Sequence, residues 1–167
     1  MHSKVFKEQV LSLQDNLYRL AYSMLHNREE AEDVVQETLI KLWSKRETLD
    51  ELDNVKFYSL KIIKNHCLDR IKLRKPIVGE IEKIKIPSSS CSPQESLEIK
   101  NMVATVNEII KLLPEQQRIV VHLRNIEELS MEEIASITEM SINNIRVTLS
   151  RARKSINEIY QKHFNYE

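Results

Sequence analysis

Residues 130–154 decide the fold, and they read SMEEIASITEMSINNIRVTLSRARK. Ser130 and Glu133 form a capping-box pattern, which predicts the start of a short helix. Residues 138–141 then predict a turn, and Ser141 at its end is a suitable cap for the helix that follows. A short helix, a tight turn and a longer helix in this order are typical of a helix-turn-helix.

The second helix of this motif has a polar face suited to a DNA groove. The side chain of Ile145 is taken to point into the core, and each following residue is rotated by about 100° around the helix axis. Asparagine can pair with adenine edges, arginine with guanine, and valine can contact a thymine methyl group. The alternative is an ordinary amphipathic helix with a solvated face. The predicted contact residues are Asn143, Asn144, Arg146, Val147, Ser150, Arg151 and Lys154.

In the N-terminal half, apolar residues recur at helical spacing, and no alternating strand pattern competes with them. One helix is predicted along the apolar stripe 6–24. A second helix follows a cap at Asn27 and turns Trp43 inward, and a third follows a cap at Asn54. The polar stretch 46–53 is expected to be a loop.

In the C-terminal half, a capping box at Ser92 predicts a helix with Met102 among its buried residues. Pro114 opens the next helix. The last helix is expected to run from about residue 142 to residue 160. Between the halves, proline, serine and the chain's single glycine, Gly79, predict a linker.

The predicted fold class is therefore all-α, with two small helical domains joined by a flexible linker. The boundaries are 1–74 for the first domain, 75–93 for the linker and 94–167 for the second domain. Each domain has only a thin core of its own, so docking on a partner is expected to matter for stability.

Composition excludes several classes of function. A single glycine in 167 residues leaves no room for a glycine-rich phosphate loop. No apolar run approaches the ~18 residues of a membrane span, and the N-terminus lacks the apolar stretch of a signal peptide. Cys67 and Cys91 are therefore expected to be reduced thiols in a cytoplasmic protein. We expect neither membrane insertion nor a small-molecule substrate.

The net charge of zero, from 25 basic and 25 acidic side chains, hides an uneven distribution. Residues 56–75 carry seven basic side chains and one acid, a net charge of +6. Residues 146–167 carry a net charge of +3, while the stretches before each basic segment are acidic. Basic faces of this kind favour local contacts with phosphates.

The first basic segment is predicted to be a helix that can meet melted nucleic acid. Its lysines and arginines can follow a phosphate backbone, Tyr58 can stack on an unpaired base, and Asn65 can hydrogen-bond one. The alternative is a plain basic surface helix with Tyr58 half in the core. The cations concerned are Lys61, Lys64, Lys72 and Arg74.

No pattern of catalytic or metal-binding residues accompanies these features. The five histidines form no His-Glu-x-x-His pair, and the cysteines form no Cys-x-x-Cys cluster. Cys67 falls on an inward helical stripe, which is typical of a core residue. We expect no enzyme activity, no metal and no cofactor.

Three stretches, in this order, resemble the extracytoplasmic-function (ECF) sigma factors of the bacterial sigma-70 family. Residues 31–38 (AEDVVQET) are similar to region 2.2 of that family. Residues 62–70 (IIKNHCLDR) are similar to regions 2.3 and 2.4. Residues 113–153 are similar to region 4, through the stretches LPEQQR, EIA and LSRAR.

The resemblance implies a role for each stretch. Region 2.2 docks on the clamp helices of the RNA polymerase β′ subunit, regions 2.3 and 2.4 melt and read the −10 element, and region 4 reads the −35 element and meets the β subunit. An anti-sigma factor is an expected further partner. The implied docking residues are Asp33, Gln36, Glu37 and Lys41, and the implied −10 residues are Tyr58, Lys61, Lys64, Asn65, Asp69, Arg70 and Lys72.

The sequence departs from the family pattern at several of these positions. Tyr58 stands where the family usually has tryptophan, Ser59 replaces leucine, and Glu139 replaces a glycine in the turn. Two other hypotheses fit parts of the sequence. A polymerase-independent helix-turn-helix regulator would bind duplex DNA alone, and an adaptor without DNA contact would fit the acidic helices but not Arg146 to Lys154.

Overall fold

A computed structural model describes residues 2–49, 54–74 and 95–164. These ranges are helical apart from short connections, and no strand occurs within them. The predicted linker, the capping box at Ser92 and the thiol of Cys91 lie outside the described residues.

The helices fall into an N-terminal and a C-terminal group. The N-terminal group comprises α1 (His2–Ser12), α2 (Gln14–Leu25), α3 (Arg28–Ser44), α4 (Arg46–Leu49) and α5 (Val55–Leu73). The C-terminal group comprises α6 (Glu95–Lys111), α7 (Glu115–Val121), a π-helical turn (His122–Ile126), α8 (Met131–Thr138) and α9 (Ile142–Phe164).

The predicted caps of α3 and α5 are confirmed. The side chain of Asn27 accepts a hydrogen bond from the backbone N–H of Glu30 at 3.0 Å. The side chain of Asn54 accepts one from the backbone N–H of Phe57 at 2.9 Å. Each cap satisfies an amide that the first helical turn leaves without a partner, which fixes where the helix begins.

Two predicted element boundaries were wrong. The stripe 6–24 is not one helix, because the chain breaks at Leu13, whose N–H donates to the Val10 carbonyl three residues back at 3.1 Å. Residues 46–49 form the short helix α4 rather than a loop. Its last residue, Leu49, is only 1% exposed, so an apolar anchor holds this polar stretch against the core.

Two residues predicted to be buried are exposed. Trp43 is 43% exposed, because the core position on its turn is filled by the fully buried Leu42. The guanidinium of Arg46 covers the Trp43 ring at 5.1 Å from its centroid. Met102 is 54% exposed, whereas Ile109, two turns further along α6, is fully buried.

The two groups of helices pack against each other as well as internally. Within the N-terminal group α2, α3 and α5 are in mutual contact, and within the C-terminal group α9 contacts α6, α7 and α8. Further contacts join α2 to α7 and α5 to α8. The buried apolar side chains of both groups therefore form one continuous cluster, which includes Leu17, Leu20, Leu60, Ile63, Val120, Leu123, Ile134 and Ile145.

Candidate nucleic-acid and partner interfaces

The face of α9 that is predicted to contact DNA is open to solvent. Ile145, Leu149 and Ala152 anchor the opposite side of the helix in the core. Ser141 caps the first turn by accepting a hydrogen bond from the backbone N–H of Asn144 at 3.2 Å. All seven residues predicted to contact DNA are exposed: Asn143, Asn144, Arg146, Val147, Ser150, Arg151 and Lys154.

The turn before α9 has the geometry of a helix-turn-helix. The predicted capping box of α8 is present, with Glu133 N–H donating to Ser130 Oγ at 3.1 Å and Ser130 N–H to Glu133 Oε2 at 2.8 Å. Glu139 has a φ of 60°, in the left-handed region where glycine carries no steric cost. The backbone thus follows the expected path although the usual glycine is missing.

The basic helix α5 presents most of its predicted DNA-contact residues at the surface. Asn65, Asp69 and Lys72 are exposed, and Tyr58, Lys61 and Arg70 are partly exposed. On the inner side Leu60, Ile63 and Cys67 are fully buried. Burial raises the pKa of the Cys67 thiol to about 12, so that thiol is a core group rather than a nucleophile.

Lys64 is the exception on α5, because it lies under the C-terminal group. It is only 6% exposed, and its Nζ donates to the carbonyl of Ile137, in the last turn of α8, at 2.8 Å. Burial lowers the pKa of Lys64, while the carboxylate of Glu139 acts in the opposite direction. The structure therefore separates Lys64 from the other predicted contacts of this helix.

The predicted docking residues of α3, namely Asp33, Gln36, Glu37 and Lys41, are all exposed. Glu37 also pairs with Arg70 of α5 at 2.5 Å. Next to them lie Ile40, which is 69% exposed, and Trp43. Sequence periodicity did not predict this exposed apolar area, because it assigned Trp43 to the core and did not consider Ile40.

A buried carboxylate between the two groups of helices is the main site that the sequence did not reveal. The side chain of Glu127, just after the π-helical turn, has no exposed surface. Its Oε2 accepts a hydrogen bond from Asn16 Nδ2 at 2.7 Å and lies 3.1 Å from Lys56 Nζ. Arg19 and His122 approach Oε1 at 3.8 and 3.5 Å. We call these five residues the Glu127 cluster.

The Glu127 cluster stabilises the ionised carboxylate. Burial on its own would raise the pKa of Glu127, but contacts from His122, Asn16 and Lys56 outweigh it and lower that pKa to about 2. Lys56 also donates to the backbone carbonyl of Glu127 at 3.3 Å. No periodic pattern marks this cluster, since Asn16 and Lys56 lie 111 and 71 residues from Glu127 in the chain.

Within the part of the chain that the structure describes, no cluster of three or more His, Cys, Asp or Glu side chains could hold a metal ion. Among the same residues, no helix is both long and apolar enough to cross a membrane.

Comparisons with known families match both groups of helices. The model of sigma-70 region 2 matches residues 10–76. The model of sigma-70 region 4 matches residues 105–156. The first match contains α3 and α5, and the second contains the helix-turn-helix, in the order that the sequence resemblance implied.

Individual relatives are similar over most of the chain. The ECF RNA polymerase sigma factor SigW of Bacillus subtilis is 27% identical over 90% of this chain and 86% of its own length. The RNA polymerase sigma factor SigV of Bacillus subtilis is 31% identical over 83% and 81%. Among solved structures, the sigma factor RpoE of Bartonella quintana, in complex with the anti-sigma factor NepR, superposes with a TM-score of 0.73. It is 26% identical and covers 95% of this chain and 98% of its own.

Proposed function

The chain belongs to the extracytoplasmic-function sigma factors of the sigma-70 family, and we propose that it reads its promoters with two different helices, α5 and α9. It binds core RNA polymerase and directs promoter-specific initiation of transcription. The observation that carries this function is that regions 2 and 4 match in order, on the helices whose faces suit nucleic acid.

The −35 element is assigned to α9. Seven exposed polar, cationic and small apolar residues cover one face of this helix, and a buried stripe fixes its orientation. An inserted helix of this kind reads base edges in the major groove through amide and guanidinium groups. Arg146 and Arg151 are the assigned guanine readers, and Asn143 and Asn144 the assigned adenine readers.

The −10 element is assigned to α5. Tyr58 offers an aromatic ring to an unpaired base, and its hydroxyl accepts a hydrogen bond from Lys45 at 3.4 Å. Asn65 and Asp69 offer polar groups to a flipped base, whose extrusion costs a few kcal/mol. Lys61, Lys64, Arg70 and Lys72 are assigned to the phosphates.

The docking surface for the β′ subunit is assigned to α3. Asp33, Gln36, Glu37 and Lys41 form an exposed polar patch, and the neighbouring Ile40 and Trp43 supply apolar area. Polar groups around exposed apolar side chains are typical of protein interfaces. The β flap is assigned to region 4.

Two broader properties complete the proposal. The superposition with the Bartonella quintana factor supports an anti-sigma factor as a further partner of this chain. We assign the protein to the cytoplasm, where core polymerase is found, and we assign it no catalytic reaction of its own.

Run-off transcription with purified core polymerase over a genomic promoter set tests the function. We expect new initiation sites that depend on both the chain and core polymerase, with a shared −10 and −35 sequence. A polymerase-independent regulator would instead bind a duplex site tightly alone and leave the initiation sites of core polymerase unchanged. That outcome would refute the proposed function.

Retention on immobilised core polymerase tests the docking surface. Asp33→Ala combined with Gln36→Ala is expected to reduce co-purification with core, because both side chains lie on the exposed face of α3. The matched control is Glu47→Ala, which removes a carboxylate that is 92% exposed in the same group of helices but outside α3. Equal retention of both variants would remove Asp33 and Gln36 from the docking face.

A further inference from the structure

The end of α3 brings a cation to the aromatic residue near the start of α5. Lys45 follows the last residue of α3, and its backbone N–H donates to the carbonyl of Leu42 at 3.2 Å. Its side chain is exposed, and its Nζ donates a hydrogen bond to the hydroxyl oxygen of Tyr58 at 3.4 Å. Lys45 thus connects the helix assigned to β′ docking with the helix assigned to the −10 element.

The pair formed by Lys45 and Tyr58 has further hydrogen-bond donors to offer. A tyrosine hydroxyl can both accept and donate, and an ammonium group carries three hydrogens. Because the Tyr58 oxygen accepts from Lys45, its own hydrogen is directed away from the ammonium group and toward another acceptor. The neighbouring acid Glu47 pairs with Arg46 at 3.9 Å. The pair therefore presents donors from two helices to an incoming acceptor.

A phosphate is the acceptor that suits these donors. Hydrogen bonds between an ammonium group and an anionic oxygen are roughly twice as strong as neutral ones. Tyr58 is partly exposed, so a base can stack on its ring while the hydroxyl at the ring edge remains accessible. A nucleotide stacked in this way carries its phosphate beside the ring edge, where one oxygen can accept from both side chains.

The pair also extends the row of predicted contacts along α5. Tyr58, Lys61, Asn65 and Lys72 recur at intervals of three, four and seven residues, which places them on one face of the helix. At about 1.5 Å per residue, this row is about 21 Å long. Lys45 adds a cation from a second helix at the Tyr58 end of the row, so a strand that follows the row meets both helices there.

We propose that the ammonium group of Lys45 and the hydroxyl group of Tyr58 form a joint binding site for one phosphate of the melted −10 strand. A tryptophan at position 58 could not complete this site, because an indole has no oxygen to accept from Lys45. The site is therefore a consequence of the residue that this chain has at that position. This inference rests on the proposed function, since it concerns the strand assigned to α5.

Three substitutions separate the parts of this site. Lys45→Gln removes the cation, Lys45→Arg keeps it, and Tyr58→Phe removes only the hydroxyl while the ring remains for stacking. The matched control is Lys162→Gln, which removes the same charge at an exposed position of α9. A cation at the end of α3 also favours the helix dipole, so circular dichroism and thermal unfolding verify that each variant is folded.

Binding is measured by fluorescence anisotropy with the holoenzyme, formed from each variant and core polymerase. The probe is the preferred single strand of a −10 element found by run-off transcription, in a set where each phosphate in turn is an uncharged methylphosphonate. With the unchanged chain, we expect one linkage to weaken binding about fivefold. With Lys45→Gln the charged strand should bind about fivefold more weakly, and that linkage should no longer matter. Tyr58→Phe should reduce the effect of the same linkage, whereas Lys45→Arg and Lys162→Gln should preserve it.

The outcomes distinguish the phosphate site from the proposed function. If every linkage weakened binding equally with the unchanged chain and with Lys45→Gln, the lysine would meet no phosphate and the joint site would be refuted. Binding of the strand by the unchanged holoenzyme would then leave the sigma-factor function intact. An unaltered profile in Tyr58→Phe would also overturn the joint site, because the hydroxyl would take no part in it. A holoenzyme that did not bind the −10 strand at all would refute the assignment of α5 and the joint site together.

Discussion

The two basic helices of this protein, α5 and α9, have similar charges but opposite surroundings. On α9 every predicted DNA-contact residue is exposed. On α5, Lys64 is buried against the end of α8, and Lys56 is bound to the carboxylate of Glu127. Charge composition therefore identifies both helices as candidates for phosphate contact, but only the packing decides which cations are available.

The difference also suggests that α9 and α5 meet DNA at different stages of initiation. The predicted DNA-contact residues of α9 are all exposed in the described arrangement, whereas Lys64 of α5 is covered by the end of α8. Duplex DNA presents its base edges in the groove without melting, while the −10 element must be opened before its bases can be captured.

The largest effect is expected when two exposed arginines of α9 are replaced. Arg146→Ala combined with Arg151→Ala should lower −35-dependent transcription about a hundredfold, because each bidentate arginine contact is worth about 1–3 kcal/mol. Binding to core polymerase should remain. The measurement is run-off transcription from promoters with intact and scrambled −35 elements.

The control for this pair is Lys162→Ala, which removes an exposed cation further along the same helix. It should leave the preference for the intact −35 element unchanged. Parallel loss of core binding and promoter activity in the arginine variant would point to misfolding instead of lost base contacts.

The next largest effect concerns the buried carboxylate of Glu127, which pairs with Lys56 of α5, and it depends on pH. The pKa of Glu127 falls from an ordinary value of 4.5 to about 2. Its contribution to stability is therefore fully present above about pH 4.5 and is lost as the pH falls toward 2. At neutral pH that contribution is of the order of 2–3 kcal/mol.

Urea unfolding of the full chain and of Glu127→Gln measures this contribution. We expect a difference in the free energy of unfolding at pH 7 that shrinks markedly at pH 3, because at pH 3 the carboxylate is protonated in the unfolded chain but still largely ionised in the folded one. The charged and polar groups around it are Lys56, Arg19, His122 and Asn16. A difference that is constant between these two pH values would contradict the assignment.

Local signals in the sequence predicted most of the helices and the exposed face of α9. The caps at Asn27, Asn54 and Ser130 mark helix starts, because a side-chain acceptor must meet an amide three residues ahead. Periodicity around Ile145 likewise predicted which side chains of α9 are exposed, since one buried stripe fixes the direction of all other side chains on a helix. These features depend on neighbours within a few residues.

Contacts between distant segments escaped the same reasoning. Lys64 has the sequence appearance of a surface cation, and its burial follows only from the arrival of α8. Glu127 resembles any acid in a polar loop until Asn16 and Lys56 approach it from the other group of helices. Trp43 was misplaced because Leu42 fills the core position beside it. Tertiary packing decides all three cases.

A smaller effect is expected at the helix that lies between the two basic helices. Ser130→Ala removes the cap of α8 and should lower the free energy of unfolding by about 1 kcal/mol. Since α8 contacts both α5 and α9, amide hydrogen exchange should rise in both neighbours. Ser136→Ala, at an exposed position inside α8, is the control and should have little effect or stabilise slightly. Equal losses in both variants would argue against the capping role.

The smallest effect is expected at the turn that leads from α8 into α9. Glu139 adopts a left-handed backbone with a φ of 60°, which strains a residue with a Cβ atom. Glu139→Gly should relieve that strain and raise the free energy of unfolding by about 0.5–1 kcal/mol, after allowance for the greater freedom of glycine in the unfolded chain. Glu139→Ala removes the same carboxylate but keeps the Cβ atom, so it should show no such gain. The carboxylate of Glu139 also opposes the effect of burial on the pKa of Lys64. A similar change in the free energy of unfolding in both variants would therefore mean that charge near the buried Lys64, and not backbone strain, governs this turn.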